Sequence, residues 1–329
     1  MIPRSVVVEA FGEPQTFSLK PRDPGAPGPG KVRLRVHAAG VSYVDVLVAE
    51  GLYQLKPPLP FVPGSEFAGV IEAVGEGVDP ARVGQRVMAS GMGAAFAEAA
   101  VVRADSAIPM PEGMDFATAS VFRVSYATMY HALVQRGSLA AGESVVVLGA
   151  GGAVGYAAIE LAKALGARVI GSASTSEKRA LALRGGADAV IDSGSPTWRE
   201  DLKAANGGKP VDVVVDPVGG EATEPAFRSL AWRGRHLVIG FAGGGIPRLP
   251  INLALLKGAA LVGVDIRQFG EYEPELAARN MDALLELFRA GKLHPAIART
   301  WPLEQFVEAM AAAKSGKLAG RVVLTMQAD

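Results

Sequence analysis

The chain has 329 residues, 49% of them hydrophobic, and its 33 Lys and Arg balance 33 Asp and Glu for a formal net charge of 0. That length exceeds what one hydrophobic core usually serves, so two domains are expected, and the charge balance excludes the global basic footprint of a nucleic-acid binder. Without a single cysteine, disulfides, thiolate nucleophiles, cysteine-rich structural zinc and iron–sulfur ligation are excluded together.

The N-terminus runs straight into an apolar stretch at 5–8 without a signal-peptide pattern, and no segment reaches the roughly 18 apolar residues of a membrane span. A cytoplasmic location with no membrane partner is therefore expected. The first part of the chain reads as short strands at 6–9, 31–38, 66–74, 85–89 and 95–103. The Pro- and Gly-dense segments at 23–30 and 57–64 cannot continue a helix or a central strand, so this part is mainly β. From Phe116 onward, helical segments alternate with buried strands at 144–148, 168–171, 189–191, 211–216, 236–240 and 260–264. That alternation predicts an α/β fold with a doubly wound parallel sheet. Amphipathic helices at 275–290 and 303–315 and a last strand at 320–324 follow, and the tail is expected to return to the first domain.

The densest signal lies at 144–166, where the run Ser144-Val-Val-Val-Leu breaks into glycines and opens onto a helix. A buried strand, a turn where backbone meets phosphate, and helix N-terminal amides facing an anion are what a dinucleotide pyrophosphate requires. The key positions read Ala150-x-Gly152-x-x-Gly155. Ala150 is small enough for the tight turn, Gly152 lets backbone approach the pyrophosphate with Ala153 and Val154 beside it, and Gly155 lets the helix pack closely on the strand. At the end of the next strand an NAD site carries an acid for the ribose 2′-OH. Here stand Ala173 and Ser174, followed by Ser176, Lys178 and Arg179, which favours NADPH; the alternative for Lys178 and Arg179 is an exposed first turn of the next helix. The histidines, His37, His131, His236 and His294, are scattered with no i, i+4 pair, so no metal site is expected.

The segments 39–45 (Ala-Gly-Val-Ser-Tyr-Val-Asp), 50–53, 60–71, 185–188, 214–220 and 319–324, with the glycine turn, carry a resemblance that spans nearly the whole chain. The chain resembles the zinc-free medium-chain dehydrogenase/reductases, and within them the zeta-crystallin-like NADPH:quinone oxidoreductases. The resemblance implies a discontinuous GroES-like β domain at 1–122 and 266–329, a Rossmann NADPH-binding domain at 123–265, an active site in the cleft between them, and a homodimer or tetramer, the homodimer being expected. Where zinc-dependent relatives place cysteine and histidine ligands, this chain has Ser42 and Ser65, so a Lewis acid on an alkoxide is not expected.

Carried over by resemblance, Asp45 and Tyr53 match positions near nicotinamide and substrate, Ser42 replaces the asparagine common in quinone reductases, and Thr128 matches a cofactor-facing position. Ser193 stands where a tyrosine often stacks over adenosine, Phe241 and Ala242 beside the nicotinamide ribose, and Arg321 near the cofactor. Helix capping accounts for Ser42 and Asp45 equally well, and core packing for Tyr53 and Phe241. The implied reaction is zinc-independent hydride transfer from NADPH to a quinone or similar conjugated carbonyl, with Tyr53 holding or protonating the substrate oxygen and Ser42 assisting. Two alternatives stay open: a C=C reductase of enals, enones or enoyl thioesters, and an NADPH-binding structural or regulatory protein with little turnover.

Overall fold

Fifteen strands, in two large sheets and one two-stranded sheet, and ten α-helices make up the computed structural model among its described residues, 2–91 and 93–326. The chain divides into two units, Met1–Val124 with Ile297–Asp329, and Ser125–Ala296.

In the first unit the order is β1 (Arg4–Val7), β2 (Ser18–Pro21), β3 (Lys31–Val41), α1 (Tyr43–Ala49), β4 (Glu66–Val74), β5 (Arg86–Ser90), β6 (Ala99–Arg103) and β7 (Ala107–Pro109). Helix α2 (Phe116–Tyr130) contains the division between the units. After the second unit the chain returns as β14 (Ile297–Pro302), α10 (Phe306–Ser315) and β15 (Arg321–Thr325). The principal sheet runs β14-β15-β3-β4-β5-β7, with β6 also paired to β3, while β1 and β2 pair by themselves. Along β3, Val32, Leu34 and Val36 recur at period two and are buried, the pattern of a strand with one face on a core. They pack with Phe67, Ile71 and Phe96 and with Phe306 and Met310 of α10, which is why the C-terminal tail rejoins this unit.

The second unit holds β8 (Ser144–Leu148), α3 (Ala153–Ala164), β9 (Arg168–Ala173), α4 (Ser176–Arg184), β10 (Ala189–Asp192), α5 (Trp198–Ala205), β11 (Val211–Asp216), α6 (Thr223–Arg228), β12 (Leu230–Val238), α7 (Asn252–Lys257) and β13 (Ala260–Gly263). Its six strands are all parallel in the order β10-β9-β8-β11-β12-β13. This is the doubly wound, Rossmann-type order, which reverses between β8 and β11. Every residue of β8 is buried, as expected of a parallel strand covered on both faces.

One boundary departs from expectation. The segment 266–296, expected with the β-rich domain, belongs to the parallel-sheet unit. Its helices α8 (Ile266–Tyr272) and α9 (Pro274–Arg289) are tied there by side chains: Phe269 stacks on His131 at 3.9 Å, and Asn280 exchanges hydrogen bonds with Gln135. The His294 amide donates to the buried carboxylate of Glu160 on α3 at 3.0 Å. Among the described residues no helix is long and apolar enough to cross a membrane.

Candidate functional site

In the parallel-sheet unit the chain turns after β8 at Gly149, whose φ of 61° is a conformation that suits glycine. Gly149, rather than Ala150, therefore makes the tight turn, a correction to the sequence reading. Ala150 is buried behind it, donating its amide to Ser172 O at 3.0 Å, and its methyl lies 3.2 Å from where a Cβ on Gly171 would fall. Gly155 is demanded by packing, since a Cβ there would lie 2.3 Å from Gly149 O. Gly152 is exposed, with only Gly149 O near its Cβ position, at 3.3 Å, so its outer side is open to a ligand.

Gly152 is also the N-cap of α3, without a side-chain cap hydrogen bond. First-turn amides have no intrahelical acceptor, and the helix dipole favours an anion there. Ala153 and Val154 sit half-buried at this end. The uncapped helix end and the close-packed glycine turn fit a pyrophosphate.

The end of β9 supplies the neighbouring wall. A Cβ on Gly151 would lie 2.5 Å from Cβ and Cγ of Lys178, so the lysine stem lies directly on the glycine turn. Ser174 and Ser176 are exposed around it, and Thr175, which the sequence reading passed over, caps α4 by accepting from the Lys178 amide at 3.3 Å. Arg179 is engaged elsewhere, donating to Ala173 O and pairing with Asp192 at 3.0 Å. Ser193 is exposed at the end of β10, its amide bonded to Ala173 O. On the other side of β8, Phe241 and Ala242 are exposed on the loop after β12, and Phe241 presses on Gly219. Thr128 is buried on α2.

The first unit contains a buried polar cluster. Ser42 caps α1 in a capping box, its Oγ accepting from the Asp45 amide at 3.1 Å while Asp45 Oδ2 accepts from the Ser42 amide at 2.8 Å. The Ser42 hydroxyl also donates to Asp45 Oδ2 at 2.7 Å. Its one proton is thus engaged, and it can assist a substrate oxygen only by breaking that bond. Burial pushes the Asp45 carboxyl up, against hydrogen bonds from Ser42 and Ser65. Arg321, buried, donates to Glu66 Oε2 at 3.2 Å, and Glu66 Oε1 accepts from the Val124 amide at 2.8 Å. Gly40 makes room for this guanidinium, since a Cβ there would lie 2.9 Å from Arg321 Nη2. Arg321, expected near the cofactor, is thus engaged as the counter-ion of Glu66. Tyr53 is half-buried on the loop after α1, its amide bonded to Leu47 O and its hydroxyl without a hydrogen bond among the described residues.

Within the first unit the structure therefore brings Ser42 and Asp45 together and leaves Tyr53 outside their hydrogen bonds. Within the second it gathers Ala150, Gly152, Ala153, Val154, Gly155 and Lys178 around one turn. Glu66 was not read as part of the cluster, and Ser65 was read only as standing in place of a zinc ligand; both lie inside the 60–71 segment that carries the resemblance, which was the available signal. Among the described residues no group of three or more His, Cys, Asp or Glu is placed to hold a metal.

Comparison with known proteins agrees with this division. The family described as alcohol dehydrogenase GroES-like domain matches residues 28–112, and zinc-binding dehydrogenase matches residues 153–281. The chain is 34% identical over 314 residues to quinone oxidoreductase-like protein 2 of Rattus norvegicus, covering 95% of this chain and 90% of the relative. It is 33% identical over 311 residues to quinone oxidoreductase of Homo sapiens, covering 93% and 92%. Among solved structures it is similar to a probable oxidoreductase from Mycobacterium abscessus, with a TM-score of 0.88, 35% identity and 98% of each chain covered. A mycobacterial protein complexed with NADPH superposes with a TM-score of 0.89 at 27% identity, covering 98% of this chain and 99% of that one.

Proposed function

Because the chain belongs to the quinone oxidoreductase family of zinc-free medium-chain dehydrogenase/reductases, we propose that it is an NADPH-dependent reductase delivering hydride to a quinone or similar conjugated carbonyl. The observation that carries the cofactor half is the uncapped α3 N-terminus behind the glycine turn, with the Lys178 stem lying on Gly151 and no acid at 173–176. An acid at the end of β9 would repel a 2′-phosphate; a lysine attracts one. The NADPH in a mycobacterial structural neighbour and the names of the rat and human relatives support the same reading.

Bound NADPH would supply the hydride from C4 of its nicotinamide. The α3 amides at Ala153, Val154 and Gly155, with Gly152, would hold the pyrophosphate; Lys178, Ser174 and Ser176 the 2′-phosphate; Ser193 would border the adenosine; Thr128, Phe241 and Ala242 would border the nicotinamide ribose. Tyr53 is assigned the hydrogen bond to the acceptor oxygen, because its hydroxyl is uncommitted whereas that of Ser42 is held by Asp45. Asp45 orients Ser42. A quinone asks for no strong protein acid, since the hydroquinone oxygen can take its proton from water.

The test is steady-state consumption of NADPH against NADH with quinones, enals and an enoyl thioester, in the natural chain and in Lys178→Ala. Quinone turnover with an NADPH preference that Lys178→Ala reduces by about tenfold, the scale of one lost charged contact, is the expected result. Turnover confined to C=C substrates moves the protein to the alkenal or enoyl reductases, and binding without turnover moves it to a structural or regulatory role.

For assembly, we propose a homodimer formed by antiparallel pairing of β13 with its copy. This strand ends the parallel sheet with exposed Leu261, and exposed Trp232, Ile251, Leu255 and Leu256 lie on β12, on α7 and just before it. An uncovered edge strand beside apolar side chains is a pairing surface.

A further inference from the structure

The loop that follows β11 is braced by a buried acid–imidazole pair that the proposed reaction leaves without a role. Asp216 ends β11 and is 2% exposed. Its Oδ1 accepts from the amides of Val218 at 2.9 Å and Gly219 at 2.8 Å. Its Oδ2 accepts from the Thr223 hydroxyl at 2.8 Å and lies 2.9 Å from His236 Nε2. Burial pushes the Asp216 carboxyl up, but the hydrogen bonds from His236 and Gly219 outweigh it and hold the group below the usual carboxylate range. Both oxygens are therefore acceptors, and the hydrogen between Asp216 and His236 sits on Nε2.

His236 itself, on β12, is 0% exposed and lies near the Phe227 ring, and its Nδ1 has no hydrogen-bond partner among the described residues. A buried polar atom left unpaired is destabilising, so a leucine would serve packing at this position as well or better. What the imidazole adds is the bond from its other nitrogen.

That bond bears on two loops. Ala242 N donates to Pro217 O at 3.1 Å, Gly243 N to Val218 O at 2.7 Å, and Gly220 N to Gly245 O at 3.0 Å. The segment at 217–220 also touches what lies on each side of it. A Cβ on Gly149 would fall 3.1 Å from Val218 Cγ2, and one on Gly219 would fall 2.7 Å from Phe241 Cδ1. The glycine turn, the loop after β11 and the loop bearing Phe241 and Ala242 are thus one packed set, at the carboxyl ends of the strands where the sheet order reverses.

We propose that His236, acting through Asp216, is a positioning residue for the nicotinamide end of the cofactor. It fixes the 217–220 loop, which sets where Phe241 and Ala242 stand relative to the glycine turn. The inference rests on the NADPH reading above. The adenosine end lies on the opposite side of β8, around β9 and Lys178, and takes no support from this pair.

The experiment compares the natural chain with His236→Leu, His236→Gln, which can restore an N–H donor toward Asp216, and Thr223→Val, which removes another donor to the same oxygen. Affinities for NADPH and for 2′,5′-ADP, which has no nicotinamide, are measured by titration, and kcat and KM for NADPH with a quinone. His236→Leu is expected to lower kcat about tenfold and weaken NADPH several-fold, the scale of a small misplacement at a reacting centre. Its 2′,5′-ADP affinity stays within about twofold, His236→Gln recovers most of the loss, and Thr223→Val shows a smaller effect of the same kind. Unchanged NADPH parameters in His236→Leu, or an equal loss of 2′,5′-ADP binding, would overturn the positioning role. If His236→Leu does not fold, Thr223→Val decides by the same criteria. A natural chain that binds neither ligand would instead sink the NADPH reading itself.

Discussion

At Glu66, burial pushes the carboxyl from an ordinary 4.5 up to about 6, against the attraction of the Arg321 guanidinium and the Val124 amide, and with the buried Asp45 charge adding to the rise. Because the folded value is raised, the folded state holds the proton at a pH where the unfolded chain has released it. The contribution to stability is therefore greatest below about pH 4.5 and is lost as pH rises through about 6. That difference in proton affinity corresponds to about 2 kcal/mol. Urea unfolding of the natural chain and of Glu66→Gln should diverge across this window, the natural chain losing about 2 kcal/mol more between pH 4.5 and pH 7. Parallel pH profiles would refute the assignment. At this scale the sequence left Ser42 and Asp45 with two readings, cap or chemistry, because a serine followed three residues later by an acid has the pattern of a helix start wherever it occurs. The structure supplies the cap, and the Tyr53 hydroxyl is uncommitted among the described residues.

Among elements, the strand, turn and helix at 144–164 carry the clearest correspondence between pattern and geometry, since a continuous apolar strand and small residues at fixed spacing leave the backbone little choice. Gly155 is the strictest position in it. Gly155→Ala would put a methyl 2.3 Å from the Gly149 carbonyl oxygen, so α3 must back away from the turn. Overpacking of this kind costs about 1–3 kcal/mol, and NADPH affinity measured by fluorescence titration should fall at least about tenfold as the α3 amides move from the phosphates. Unchanged affinity would show that the helix end does not hold the cofactor. Strand β14 escaped the sequence reading because only Trp301 along it is fully buried, leaving no alternation to detect. Strand β12 begins at Leu230, well before the expected 236. Its first half is broken by Arg233 at φ 63° and Gly234 and slips register against β11, so only its end was read as a strand.

For the whole molecule, the proposed pairing of β13 places Leu261 at the centre of an interface between copies. Leu261→Asp sets a charge on each partner where the strands would meet, and like charges opposite one another destabilise pairing. Sedimentation of the natural chain should give about twice the monomer mass and the variant about the monomer mass, since a two-fold interface doubles every substitution. A monomeric natural chain would remove the proposal. The division of the chain belongs to this scale too. The helices at 266–296 join the parallel-sheet unit through Phe269 on His131, Asn280 with Gln135, and the His294 amide on Glu160, contacts between residues far apart in sequence.

What the sequence determined alone was whatever depends on neighbours along the chain: the parallel-sheet strands, the glycine turn between strand and helix, the exclusion of cysteine chemistry, and the β-rich character of the first part. Periodicity and turn chemistry are local, so they survive translation into a string of letters. What only the tertiary structure decided was how side chains from distant segments share a buried space: Arg321 as the partner of Glu66, the Lys178 stem over Gly151, and His236 meeting Asp216 from the neighbouring strand. Burial turns such meetings into requirements, because a charge or hydrogen-bonding group removed from water must find its partner wherever the fold brings one.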